Sequence, residues 1–351
     1  MILFTESSLN LGGQELQLLE QARGLARRGV EVLLACPRDS RIAATAAEFG
    51  VAVSPVEFRN SLHPPSVRRV MRLMAQRRPA AILCHSGHDA DVCAVAARLV
   101  RKRPRLVRMR TYQHGLPHAW TYNRLFDRTL VPSEEMRRRL LANPRVRAER
   151  IAVLRPGIDF ASLDARSGKP LDEGLETTLD RFPPRLVTHA AMLRPEKGHL
   201  VMLEALARLR LPDVCYVIAG EGELKETLQG RTEELGLQTQ VCFAGMVRNV
   251  PALYARSELV VMPSLDEPLG MSQIEALGLG VPVVASRVGG IPETMQHLLV
   301  SPGDIEAWAQ ALAWALGHRD EMRAHAAAGR ADVRQRFELN HVLDQLAGHL
   351  A

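Results

Sequence analysis

Two carboxylates, Glu267 and Glu275, stand on either side of a Pro268-Leu269-Gly270-Met271 step within Val260–Pro292. A short apolar run, Leu259–Met262, feeds this loop, and a short helix carrying Glu275 leaves it. The first amides of a helix lack an intrahelical acceptor and sit at the positive end of its dipole, so such a strand–loop–helix binds anions. Gly270 removes the Cβ that would hold a ligand off the backbone. Carboxylates repel a phosphate, so two of them flanking an anion site imply hydroxyl groups on both sides of it. The ribose, diphosphate and sugar of a nucleotide-sugar have that layout. Upstream, Arg194 and Lys197 lie before and at the start of a helix over His199–Arg208, where the dipole disfavours each cation by about 0.3–1 kcal/mol. An anion lodged between them removes the penalty; the plainer alternative is an ion pair with a near acid such as Glu196.

Other polar groups carry weaker signals. His85 and His88 beside Cys84 suggest a metal, but no further ligand stands at a suitable spacing, and no metal is expected. That loop either lines a pocket or is a helix start capped by Ser86 or Asp89. His114, before Gly115, is the histidine best placed to touch a substrate; the alternative is a ring packed beneath its loop. No Ser-His-Asp or paired-carboxylate arrangement stands out.

The elements that must hold these residues read as strands alternating with helices. Ile2–Thr5, Val30–Ala35, Val51–Val56, Ala80–Cys84, Arg105–Met109, Thr129–Val131 and Ile151–Leu154 are apolar runs of strand length, and a helical face follows Gln14. Alternation of this kind builds a parallel sheet. The dinucleotide fingerprint G-x-G-x-x-G is absent; Gly12-Gly13 is either a place where another molecule passes close over the backbone or a tight bend opening a helix. Ligands gather at the carboxyl ends of parallel strands, so the loops at 12–13, 85–89 and 110–115 are expected to converge. The pattern restarts with Arg185–Ala190, Val214–Ala219 (running into Gly220-Glu221-Gly222-Glu223), Val241–Ala244 and Leu259–Met262. Asp164–Pro184 is rich in Gly, Pro and charge and reads as a linker and the entry to the second domain. From Ala307 onward the chain is helical with a break at Gly317. The expected domains are 1–160, 161–330 and a C-terminal helix over 331–351 that packs back on the first.

Composition narrows the classes. At 351 residues, 46% apolar and 24% charged, two ordinary globular domains are expected. No run approaches the roughly 18 apolar residues of a membrane span, and the N-terminus lacks the basic and apolar regions of a secretory signal. Five scattered cysteines without a Cys-x-x-Cys pair suggest buried free thiols and a reducing cytoplasm. Between Arg98 and Arg155 there are 16 Arg or Lys against 4 Asp or Glu, although the whole chain carries only +6. That stretch suits anionic lipid or a phosphorylated acceptor, or is a solvated basic face. With 4% aromatic residues, a stacking groove for single-stranded nucleic acid is not expected.

Taken together, Arg194-Pro195-Glu196-Lys197-Gly198, Gly220-Glu221-Gly222, the E-x7-E segment from Glu267 to Glu275, and Val288-Gly289-Gly290-Ile291-Pro292-Glu293 resemble the family 4 glycosyltransferases. The resemblance covers most of the chain. It implies an α/β protein of the GT-B fold, two Rossmann-like domains whose parallel sheets face a central cleft. It further implies a retaining, metal-independent hexosyltransferase that needs no cofactor beyond its nucleotide-sugar. By that resemblance Arg194 and Lys197 neutralise the donor diphosphate, Glu267 holds the donor sugar, and Glu275 accepts the ribose hydroxyls. Amides near Leu269–Met271 and the glycines Gly12, Gly13 and Gly220 lie along the donor. Relatives carry a histidine after the strand matching Arg105–Arg110, where this chain has Thr111, with His114 three residues on. The loops at His85 and Thr111 look like those of enzymes extending lipopolysaccharide core or lipid-linked glycans. The implied acceptor is a glycan or glycolipid, and the implied location is the cytoplasm or the inner face of its membrane. A same-fold epimerase, a phosphorylase and a non-catalytic nucleotide-sugar or polyanion binder are the alternatives.

Overall fold

The computed structural model describes residues 1–60, 63–113 and 115–351, which divide into two compact units. The first comprises Met1–Gly157 together with Phe337–Ala351, and the second Ile158–Arg336.

The first unit is built on a seven-stranded parallel sheet: β1 (Ile2–Thr5), β2 (Val32–Cys36), β3 (Ala52–Pro55), β4 (Ala81–Cys84), β5 (Arg105–Met109), β6 (Arg128–Val131) and β7 (Ile151–Val153). Its order is β3-β2-β1-β4-β5-β6-β7, so the winding direction reverses between β1 and β4. The central strands β1, β2 and β4 are nearly continuous apolar runs because helices cover both faces. The connecting helices are α1 (Gly13–Arg27), α2 (Arg41–Ala46), α3 (Pro64–Arg77), α4 (Gly87–Leu99) and α5 (Glu134–Leu141). Leu18, Leu19, Ala22 and Leu25 form the buried stripe of α1, as the spacing after Gln14 requires.

The second unit repeats the plan with β8 (Arg185–Ala190), β9 (Val214–Ala219), β10 (Val241–Gly245), β11 (Leu259–Met262), β12 (Val283–Ser286) and β13 (Leu299–Val300). This sheet runs β10-β9-β8-β11-β12-β13, all parallel, and reverses between β8 and β11. Its helices are α6 (Phe160–Ser167), α7 (Leu175–Leu179), α8 (His199–Leu209), α9 (Lys225–Glu234), α10 (Val250–Arg256), α11 (Ser272–Leu279), α12 (Ile305–Gly317) and α13 (Arg319–Phe337). The expected break at Gly317 is the end of α12. A last helix, α14 (Leu339–Leu350), belongs to the first unit, where Val342, Leu343 and Leu346 join the core under β1, β2 and β4.

The stretch expected to be a linker and the entry to the second domain is that entry, but it is folded rather than a linker. Within it lie the end of α6 and the whole of α7, and Leu171, Leu175 and Leu179 are buried against the second sheet. The helices are short and interrupted by Gly168 and Gly174, so no apolar period shows over any useful window. All five cysteines are buried free thiols. Among the described residues no helix is long and apolar enough to cross a membrane.

Candidate functional site

In open parallel sheets the crevice for a ligand lies beyond the carboxyl ends of the strands where the order reverses. In the second unit these ends belong to β8 and β11, and they carry the Arg194–Lys197 turn and the Glu267–Glu275 loop. Pro195–Lys197 is a single 3-10 turn, followed by Gly198 in the left-handed region (φ 72°) and then by α8. A Cβ on Gly198 would lie 1.9 Å from the carbonyl oxygen of Pro263, so only glycine lets the two loops approach this closely. The amide of Leu265 donates to the carbonyl of Glu196 at 2.7 Å, and Ser272 Oγ donates to the carbonyl of Ala190 at 2.8 Å. Residues far apart in sequence are thereby locked into one surface.

Lys197 Nζ donates to Glu267 Oε2 at 2.6 Å, and Glu267 is only 6% exposed. Ser264 Oγ also reaches that oxygen at 3.4 Å. Sequence proximity suggested Glu196 as the acid for these cations; the structure pairs Lys197 with Glu267 and leaves Arg194 half exposed, 4.0 Å from Glu196. The backbone of Glu267 is fixed from behind. Its carbonyl accepts from the amide of Gly290 at 3.0 Å, and a Cβ on Gly289 (φ 54°) would lie 1.7 Å from the same oxygen. A partly buried ion pair costs desolvation that its mutual attraction need not repay, so its presence is not explained by stability alone.

The start of α11 presents amides without intrahelical acceptors, an end suited to an anion. Leu269 is buried and Gly270 takes a φ of 85°, a conformation that favours glycine. Gln273 Nε2 donates to the carbonyls of Leu269 (2.7 Å) and Gly270 (3.2 Å), which fixes the peptides ahead of Met271, the residue before the helix. Glu275, one turn in, is half-buried and has no hydrogen bond to it among the described residues. Burial pushes its carboxyl up to about 7, against the opposing pull of Arg166. Gly220 has a structural reason of its own: a Cβ there would meet the carbonyl oxygen of Ala191 at 2.0 Å.

In the first unit the corresponding ends are those of β1 and β4. Glu6, directly after β1, is fully buried and accepts from the amides of Ser7 (2.7 Å) and Ser8 (2.8 Å), from Gln14 Nε2 (3.1 Å) and from Ser86 Oγ. Gln14 also donates to the carbonyl of His85 (3.3 Å) and accepts from Thr111 Oγ1 (2.6 Å). One side chain therefore joins all three loops expected to converge. Asp89 is buried as well, accepting from Thr5 Oγ1 (2.5 Å) and the amides of His85 and Ser86. Burial and the nearby charge of Glu6 raise its carboxyl.

One expectation changes here, and one open choice narrows, since Gly12 opens α1 as the helix-start reading has it. The capping role of Asp89 is the arrangement found, but the His85 ring is 5% exposed, stacked on Phe4, and pushed down to about 4 by burial. It is a core histidine in this structure, not a loop side chain open to a sugar. Gly12 is extended and precedes α1, with its amide donating to Glu15 Oε2 at 2.8 Å; neither it nor Gly13 needs a left-handed backbone. Thr111 is tied to Gln14, and His114 lies outside the described residues. Sequence reasoning missed Glu6 and Gln14. The available signal was an acid placed immediately after a buried strand and shortly before Gly12-Gly13.

Comparisons with known proteins follow the same division. The family model for "Glycosyltransferase Family 4" matches residues 11–162, and that for "Glycosyl transferases group 1" matches residues 181–332. A D-inositol 3-phosphate glycosyltransferase of Mycolicibacterium paratuberculosis is 26% identical over 95% of this chain and 84% of its own. The crystal structure of Anabaena Alr3699/HepE in complex with UDP-glucose superposes with a TM-score of 0.86 at 24% identity, over 99% of this chain and 98% of that one. WaaG, a glycosyltransferase involved in lipopolysaccharide biosynthesis, gives a TM-score of 0.71 at 15% identity over the full length of both chains. These two likenesses show the fold, two parallel-sheet Rossmann-like domains of the GT-B type.

Proposed function

We propose, from the premise that the chain belongs to the glycosyltransferases, with a Family 4 domain followed by a group 1 domain, that it moves a hexose from a nucleoside-diphosphate sugar to a glycan or glycolipid of the cell envelope. The observation that carries this reading is the Lys197–Glu267 pair, 2.6 Å apart where the second sheet reverses, beside the amide end of α11. Lys197 and Arg194 take the diphosphate, turning it into a better leaving group through charge-assisted hydrogen bonds. Glu267, already oriented by Lys197 and by the Gly289-Gly290 turn, holds hydroxyls of the donor sugar. Glu275, with no hydrogen bond to it among the described residues, takes the ribose hydroxyls. The departing phosphate stays beside the anomeric carbon and accepts the acceptor's proton, so the configuration is retained without an enzyme nucleophile and without a metal.

UDP-glucose is the first donor to try, because the Anabaena structure holds it. The named substrates of the mycobacterial relative and the role of WaaG favour an acceptor with a phosphorylated or lipid-linked core. The Arg-rich stretch from Arg98 to Arg155 suits the anionic inner face of a membrane, where we place the protein as a peripheral enzyme. The test is donor hydrolysis by the purified protein without acceptor. Slow release of nucleoside diphosphate, unchanged by chelator and abolished in Lys197→Ala, is expected. Release that requires added metal would overturn the metal-free mechanism. If no donor in a panel of nucleotide-sugars raises the melting temperature, the transferase reading gives way to a polyanion binder.

A further inference from the structure

A second cavity lies in the same unit at the other end of the same sheet. It has a volume of about 650 Å³ and is reached from the amino ends of β8 and β11, where Arg185 and Leu259 begin their strands. Six-residue β8 separates it from the Lys197 turn by roughly 20 Å, taking about 3.3 Å per residue. Its floor is apolar, formed by Leu259, Leu279, Val281, Leu316 and Met322. Its walls carry arginines.

The acids that line the cavity are already engaged. Glu258 is shared by Arg185 (2.8 Å) and Arg319 (2.8 Å), and Asp164 binds Arg334. Arg256 pairs with Glu176 at 2.6 Å. Two arginines of α13 remain. Arg323 lies 3.6 Å from Asp320 with both side chains mostly in water, a geometry that contributes little. Arg330 has no ion pair among the described residues, and its Cδ lies over Gly280 at the cavity wall. Arg319, Arg323 and Arg330 stand at i, i+4 and i+11 on α13, which puts them on one face. The result is an apolar hollow beside a row of guanidinium groups in which Arg319 is held by Glu258, Arg323 is only loosely paired in water, and Arg330 has no ion pair among the described residues.

We propose that this cavity is a second ligand site of the donor-binding unit, taking a phosphomonoester whose phosphate is held by Arg323 and Arg330 and whose tail lies on the apolar floor. Guanidinium forks match the oxygens of a phosphate dianion, and the volume is that of an ordinary small-molecule site. The chemistry is shared by a soluble sugar or glycerol phosphate and by the headgroup of phosphatidic acid. The site is independent of the donor reading, since it shares none of Arg194, Lys197, Glu267 or Glu275.

The experiment is calorimetric titration of the full-length protein with sn-glycerol 3-phosphate, alongside sedimentation with phosphatidylcholine vesicles carrying phosphatidic acid, read as the excess over vesicles of equal charge carrying phosphatidylglycerol, which the Arg98–Arg155 stretch would bind equally. Wild type, Lys197→Ala and the double variant Arg323→Ala/Arg330→Ala are compared. Wild type and Lys197→Ala should bind alike, and the double variant about tenfold or more weaker, the scale of a lost charged contact. Both substituted arginines are exposed, so the melting temperature should not move. Binding of the soluble ester alone assigns a free metabolite, and binding of vesicles alone assigns a lipid headgroup. Equal binding by wild type and the double variant, loss of binding in Lys197→Ala instead, or no binding of either probe would overturn the site.

Discussion

Glu275 is the residue whose chemistry can be read most directly. Its carboxyl is raised from 4.5 to about 7 by burial, so between those values the folded chain holds a proton that the unfolded chain has released. More protons bound in the folded state means that stability falls as pH rises through that window. Glu275→Gln should flatten this fall when unfolding is followed from about pH 4.5 to pH 7; an unchanged pH slope would contradict the assignment. Ribose hydroxyls donate to the charged form, so nucleoside diphosphate should bind more tightly as pH rises through about 7 in the wild type and not in the variant. Glu275→Ala should weaken that binding by about 1.5–3 kcal/mol, the scale of a charged hydrogen-bond acceptor; equal affinity by calorimetry would remove the residue from the site. Lys197→Ala should lower turnover more than stability, which it also lowers by leaving the buried Glu267 carboxylate with only Ser264 Oγ at 3.4 Å. The need for cations and acids was legible from the residue types alone. That Lys197 would choose Glu267 over Glu196 was not, because the choice depends on how β8 and β11 lie side by side.

Among the elements, the turns carry as much of the site as the helices. The Gly289-Gly290 turn after β12 is part of the segment that carries the family resemblance, and the structure shows that it presses on the carbonyl of Glu267. Gly289→Ala adds a Cβ 1.7 Å from that oxygen at a φ of 54°. The backbone strain alone is about 1–3 kcal/mol, so melting temperature and activity should both fall as the Glu267 loop is displaced. Gly230→Ala, inside α9 with nothing within 4 Å of the new Cβ, should instead stabilise the protein by about 0.5–1 kcal/mol. Similar melting temperatures for the two variants would show that the close approach at Gly289 does not hold the loop. The segment taken for a linker teaches the complementary lesson. Leu171, Leu175 and Leu179 have helical spacing over too short a run to stand out, and only the sheet they cover reveals them as core.

Across the whole molecule, each unit has its own core, and the first is completed by the last helix of the chain. Leu346, buried beneath β1 and β4, should cost about 2–5 kcal/mol when truncated to alanine. Hydrogen exchange should show the loss in Met1–Gly157, with protection in α8 and α11 of the second unit kept; uniform loss across both units would contradict the division. The seven strands of the first sheet, four of the six in the second, and the repeat of the plan were legible in the sequence, because apolar runs and glycine turns are local features. Tertiary structure alone decided which charges pair, which histidine is buried, and that Glu6 and Gln14 knit three loops. Those outcomes depend on strand order, and order is set by how whole sheets pack, which no single stretch of sequence records.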